Sequence, residues 1–143
     1  MFMNVGVCPQ SDCLWDELNT EDHIKLFSKI IGLSSMETEA NLSFFLENMN
    51  LTEYRYRRAK ELSGGNRRKL CAAIALIGGP SIILLDEPSS GLDPFARRKL
   101  LIALHSFVEY RNSAIIFTSH SMDEAEAICN KIGIRYLMLA KWC

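Results

Sequence analysis

Short unbroken apolar runs alternate with longer stretches whose apolar side chains recur every three or four positions. Two of the runs, Ser81–Leu85 (SIILL) and Ala114–Thr118 (AIIFT), lie between turn-forming residues. That pattern predicts strands buried on both faces of a parallel sheet. Asn4–Cys8 (NVGVC) is a further β-prone segment and stops at Pro9; Ile132–Leu139 is β-prone again. Between them the periodicity is helical. Thr20 is placed to cap a helix with Glu21 and Asp22 in its first turn, Ile24, Phe27, Ile30 and Ile31 on one side, and Gly32 at its end. A second helix is expected from about Met36 to Met49, with Ala40, Phe44, Phe45 and Met49 on its apolar side. A third opens near Gly64 and ends at Gly78-Gly79-Pro80. Asp93 followed by Pro94 starts a fourth, running to about Tyr110. Ser121 with Glu124 reads as a capping box for a fifth, reaching about Asn130. From Gly64 onward the alternation of helix and strand gives an α/β architecture with a parallel sheet.

Polar groups cluster where the strands end. In IILLDEPSSGLDP the apolar run stops at Leu85 and two carboxylates, Asp86 and Glu87, follow. Ligands of open α/β sheets sit outside the carboxyl ends of the strands. An aspartate held there can orient a hydrated Mg²⁺, and the neighbouring glutamate can act as general base toward a water. Taken alone, an acidic pair before proline is equally a surface turn. The second run ends in the same way, AIIFTSH, which places His120 beside the acidic pair. Gln10 follows the first β-prone segment and is able to accept and to donate. In ELSGGNRRKL, Ser63, Gly64 and Gly65 precede a helix whose free N–H groups suit an anion, and Arg67, Arg68 and Lys69 add positive charge. Those features predict a phosphate contact.

Composition narrows the classes. The chain has 143 residues, 48% hydrophobic and 23% charged, with a net charge of -1. That suits one globular domain and gives no electrostatic footprint for nucleic acid or anionic lipid. The five cysteines form no CxxC pair and read as reduced thiols. The longest apolar stretch, Cys71–Ile77, is far short of the ~20 residues that span a bilayer. Residues 1–7 (MFMNVGV) have no signal-peptide pattern.

Taken in order, these motifs resemble the ATP-binding cassette (ABC) ATPases. Gln10 resembles the Q-loop glutamine, and Leu62–Asn66 (LSGGN) the ABC signature. Ile82–Glu87 resembles Walker B with its catalytic glutamate, Ser90–Asp93 (SGLD) the D-loop, and His120 the switch histidine. Asn66, where most cassettes have glutamine, and the stretch TSHSMDEAEAIC look most like subfamily A, the lipid exporters. The resemblance implies a partial P-loop NTPase-like domain of α/β class. About 11–60 would be the helical subdomain and about 61–135 the signature, Walker B, D-loop and switch-histidine region. It further implies ATP and Mg²⁺ as ligands, with Asp86 and Gln10 toward the metal, Glu87 and His120 catalytic, and Ser63, Gly64, Gly65 and Asp93 toward nucleotide. The expected partners are a second nucleotide-binding domain, a transmembrane domain and a lipid substrate, at the cytosolic face of a membrane; nucleic acid is not expected.

The sequence departs from that family in two places, one of them after Ile134, where the family usually continues through a hairpin and RYLMLAKWC stops. No Gly-Lys dipeptide occurs, so the phosphate-gripping G-x-x-x-x-G-K-(S/T) segment is lacking. The chain is therefore expected to be a fragment or truncated product, inactive alone, with part of its sheet uncovered. A catalytically dead cassette and a soluble non-transport ABC ATPase stay open as alternatives.

Overall fold

The computed structural model describes residues 5–134. The elements in chain order are β1 (Val5–Cys8), α1 (Thr20–Ile31), α2 (Ser35–Asn48), α3 (Gly64–Leu76), β2 (Ile82–Asp86), α4 (Pro94–Arg111), β3 (Ala114–Thr118) and α5 (Met122–Ile128). Two short 3₁₀ turns, Thr52–Tyr54 and Ala59–Glu61, lie between α2 and α3. The strands form a parallel three-stranded sheet in the order β1-β2-β3. Of the β-prone stretch Ile132–Leu139, residues 132–134 carry no regular structure and the remainder lies outside the described residues.

Register divides the sheet into two chemically distinct faces. Gly6, Ile83 and Ile115 align across it, as do Cys8, Leu85 and Phe117; this row meets the core. The alternate row holds Val7, Leu84 and Ile116, and Ile116 is 63% exposed. Burial on both faces is not found among the described residues, and the expectation of a partly uncovered sheet fits this row. Helix α3 packs on β1 and β2, and the core residues of α4 join the same cluster.

Helix α3 is central. From Leu70 to Leu76 every residue is buried, so it is enclosed on all sides, against β1, β2 and α1. Its approach to β1 is close enough that a Cβ on Gly6 would lie 1.8 Å from the carbonyl oxygen of Ala75. Only glycine fits there. Phe45 of α2 and Phe107 of α4 meet at 6.5 Å between ring centroids and join the helical part to the sheet layer.

Several local expectations shift. Asn19, not Thr20, caps α1, its Oδ1 accepting from the Asp22 amide at 2.8 Å; Thr20 is buried instead. Helix α2 buries Thr38, Leu42, Phe45 and Leu46, while Ala40 and Phe44 face outward. Ser34 caps it with a reciprocal box to Glu37. Ser121 makes no side-chain capping bond to α5, and the Glu124 carboxylate, expected to complete the box, is turned inward to Ser89 and Ser119.

Candidate functional site

The end of β2 is where the polar side chains gather. Asp86 pairs with Thr118 in the sheet register and shares the exposed row, so both side chains emerge on the open face. Thr118 Oγ1 donates to Asp86 Oδ1 at 2.5 Å and accepts the Glu87 amide at 3.0 Å. Glu87 follows with φ 48°, a left-handed turn that takes its side chain out of the strand alternation. Its Oε1 meets His120 Nε2 at 2.5 Å. Asp86, Glu87 and Thr118 are thus hydrogen-bonded at the carboxyl edge of the sheet, with His120 in close contact with the Glu87 carboxylate.

Gln10 follows β1 at the same edge, since Cys8 pairs with Leu85 one residue before Asp86. Its side chain is exposed, and its main-chain carbonyl accepts from Arg68 Nη1 at 3.1 Å. Arg68 is 5% exposed and reaches across α3 to both strand ends. It donates to the carbonyls of Pro9, Asp86 and Glu87 as well.

The expected role of the three cations beside the glycines needs correction. Arg67 is held by Asp12 at 2.8 and 2.9 Å and by Asp16 at 2.9 Å. The Arg67 bond holds the Asp12 carboxyl below the usual carboxylate range, and Asp12 in turn pushes the guanidinium pKa upward. Arg68 is committed to carbonyls. Only Lys69, its pKa lowered by burial, lines the groove onto which Ser63, Gly64 and Gly65 open.

That groove has a volume of about 510 Å³ and also receives Asp93 and Lys99. It is separate from the Asp86–His120 cluster. Ser63 Oγ accepts the Asn66 amide at 3.3 Å, and Asp93 Oδ1 caps α4 through the amides of Phe95 and Ala96 at 3.0 Å each. The two glycines differ. A Cβ on Gly65 would meet Leu92 Cδ2 at 2.9 Å, whereas one on Gly64 would meet nothing within 4 Å. Gly65 is explained by close packing against the 90–93 turn; Gly64 faces open space.

A second buried cluster braces this edge. Glu124, 4% exposed, accepts Ser89 Oγ at 2.8 Å on each oxygen and Ser119 Oγ at 2.6 Å, and pairs with Arg97 at 3.1 Å. It ties the turn after Glu87 to the turn holding His120. Sequence reasoning missed this role for Glu124, and also Arg68 and Thr118. A hydroxyl at the last position of an apolar strand, two residues before a histidine, was the available signal for Thr118.

The donor chemistry at the sheet edge fits Mg²⁺. That ion takes oxygen ligands and is held by one or two carboxylates, with water and substrate phosphate completing its shell. Asp86 and the Gln10 amide oxygen are such donors, both exposed. Among the described residues no group of three or more His, Cys, Asp or Glu side chains gathers as a metal cage. No helix among them is long and apolar enough to cross a membrane.

A parallel sheet with polar groups at its carboxyl edge, and a glycine-opened helix beside it, defines a mixed α/β domain of nucleotide-cassette type. Comparison with known proteins agrees. The ABC transporter family profile matches residues 3–90, and the chain belongs to that family. It is 43% identical to human ATP-binding cassette sub-family A member 2 over 92% of this chain and 5% of that protein. Against the Mus musculus retinal-specific phospholipid-transporting ATPase ABCA4, identity is 42% over 94% of this chain and 6% of the other. Against Arabidopsis thaliana ABC transporter A family member 2, it is 43% over 91% of this chain and 13% of the other. A solved ATP-binding subunit of an ABC transporter superposes with a TM-score of 0.76 at 28% identity, over 87% of this chain and 51% of that one. The chain thus has the subfamily A relatives and the cassette fold that its motifs imply, and spans a small part of those relatives.

Proposed function

We propose that this chain is part of the ATP-hydrolysing cassette of a transporter that exports lipid from the cytosolic face of a membrane. In this reading about residues 11–60 are the helical subdomain and about 61–135 carry the signature, Walker B, D-loop and switch histidine. The observation that carries it is the Asp86–Thr118–Glu87–His120 cluster at the carboxyl edge of a parallel sheet.

Each residue has a chemical task. Asp86 and Gln10 hold Mg²⁺, which when bound offsets the phosphate charge. Glu87 is the general base: its carboxylate accepts a proton from the water that attacks the γ-phosphate. His120, 2.5 Å from Glu87 Oε1, fixes the direction of that carboxylate and has its other ring nitrogen for a phosphate oxygen. Ser63, Gly64 and Gly65 contact an ATP held by a second cassette, with Asp93 facing the same groove. The open space at Gly64 supports this, since nothing among the described residues needs a glycine there. A transmembrane domain receives the movement of the helical part. The printed names of the relatives, one a phospholipid transporter, support lipid as the cargo.

The test is Glu87→Gln in the full-length protein that carries this cassette. The substitution keeps shape and removes the base, so turnover should fall by about 10²–10⁴-fold while ATP binding persists. Parental turnover in that variant would refute the assignment.

A further inference from the structure

Three non-glycine residues among those described have positive φ: Asn50, Glu87 and Asn112. Asparagine adopts that region readily; glutamate does so only at a steric cost. Such a conformation persists only where its surroundings hold it. Around Glu87 they do so from both ends. Its amide is bonded to Thr118 Oγ1 at 3.0 Å, and its carbonyl receives Arg68 Nε at 3.2 Å and Nη2 at 3.0 Å. Arg68 also donates to the Asp86 carbonyl and to those of Pro9 and Gln10.

The guanidinium is unusual in its partners. It is 5% exposed, and every hydrogen bond it makes among the described residues goes to a main-chain carbonyl. Removing a cation from water is costly, and carbonyl dipoles offset that less simply than a carboxylate does. What the arrangement provides is geometry: a planar fork with donors in fixed directions, joining the start of α3 to the ends of β1 and β2.

We propose that Arg68 is a positioning residue for Glu87, fixing, with Thr118 as the second hold, the left-handed peptide that aims the carboxylate toward His120. This rests on Glu87 being the base, as argued above. Without the fork, Glu87 relaxes toward negative φ and its carboxylate leaves the direction in which it meets His120. Asp86 loses a main-chain hold but keeps its bond to Thr118, so metal and nucleotide binding persist. Lysine at this position keeps the charge but places one ammonium where a fork bridged four carbonyls.

The experiment measures ATP turnover of the full-length protein with Arg68→Lys and with Thr118→Val, each alone and combined with Glu87→Gln. Either single variant should lower kcat by about 10²-fold, the scale of a 1 Å misplacement, and in Arg68→Lys, which leaves the Thr118–Asp86 bond in place, the KM for ATP should stay within about twofold of the parent. In the Glu87→Gln background neither should lower the residual rate further, because the group being aimed is gone. Parental kcat in both single variants overturns the proposal, as does an equal fall in the Glu87→Gln background or, in Arg68→Lys, a loss expressed in KM. Should Arg68→Lys fail to fold, Thr118→Val, at an exposed strand end, decides the matter. Parental turnover in Glu87→Gln alone refutes the base assignment; a dead Glu87→Gln beside normal Arg68→Lys and Thr118→Val refutes the positioning role only.

Discussion

His120 and Glu87 meet at 2.5 Å with opposite exposure: the imidazole is 88% exposed and the carboxylate 16%. The histidine therefore lies on the outer side of the pair, the side open to a phosphate in the proposed reading. His120→Ala in the full-length protein should leave thermal stability unchanged, since an exposed ring carries little packing. It should lower kcat on the order of 10²-fold through loss of aim. Stopped-flow phosphate release at saturating MgATP, alongside a melting curve, checks both halves.

The two signature glycines should separate stability from activity. Gly64→Ala places a methyl in open space within a helix, so the fold should be unchanged or stabilised by up to about 1 kcal/mol. Turnover should nevertheless fall, if Gly64 is bare for a nucleotide phosphate. Gly65→Ala pushes on the tip of Leu92 and should cost about 1 kcal/mol of stability as well. Urea midpoints beside ATPase rates distinguish the two.

Gly6→Ala tests the packing of α3 on β1. The added carbon would overlap the Ala75 carbonyl oxygen, which is main chain and has nowhere to move. A destabilisation of about 2–3 kcal/mol is expected, read as a lower denaturant midpoint.

Stability should depend on pH through His23. The ring is fully buried, with Nδ1 2.8 Å from the Asn19 carbonyl and Nε2 accepting the Trp15 amide at 3.0 Å. That is a neutral imidazole with its proton on Nδ1; a second proton would face the Trp15 N–H. Burial lowers the pKa, against upward pulls from the Asn19 carbonyl and Asp22, while Arg67 adds a smaller downward push. In the unfolded chain histidine titrates near ~6.5. The folded state binds the proton less readily, so this contribution is complete above ~6.5 and is lost as pH falls toward the lower folded value. Urea titrations from pH 7.5 to 5 should show falling midpoints, with a shallower fall in His23→Gln.

The 143-residue chain by itself should bind MgATP weakly and not turn it over. Its sequence holds no Walker A lysine or backbone cradle, and the carboxylates that remain repel a triphosphate unless metal lies between. Calorimetric titration followed by a phosphate-release assay checks this; micromolar affinity with turnover would show another phosphate grip.

Much of the architecture was legible because it rests on local chemistry. The runs at Ile82–Asp86 and Ala114–Thr118, the Asp93-Pro94 start of α4 and the glycine end of α3 all follow from pattern and capping. What the sequence hid depends on tertiary neighbours. Arg68 and Arg67 are adjacent cations in a basic run, yet one is buried among carbonyls and the other pairs with Asp12 and Asp16. Glu124 has capping-box spacing, but buried serines from two turns outcompete the amide it was expected to meet. Continuous apolar strands read as covered twice, whereas the helices pack on one face. Gathering Asp86, Glu87 and His120 at one edge needed only parallel strands; the aim of Glu87 needed Arg68.

The open row of Val7, Leu84 and Ile116 has a consequence for the life of the chain in a cell. Chaperones and proteases distinguish finished from unfinished proteins largely by apolar surface in water. A sheet bare on one side among the described residues stays in the unfinished class until something covers that side, however well its other side is packed. Its abundance is then governed by how soon something covers that row rather than by the strength of its core. Substitutions far from the Asp86–His120 cluster that slow the covering would lower protein levels while leaving the chemistry of each surviving molecule intact.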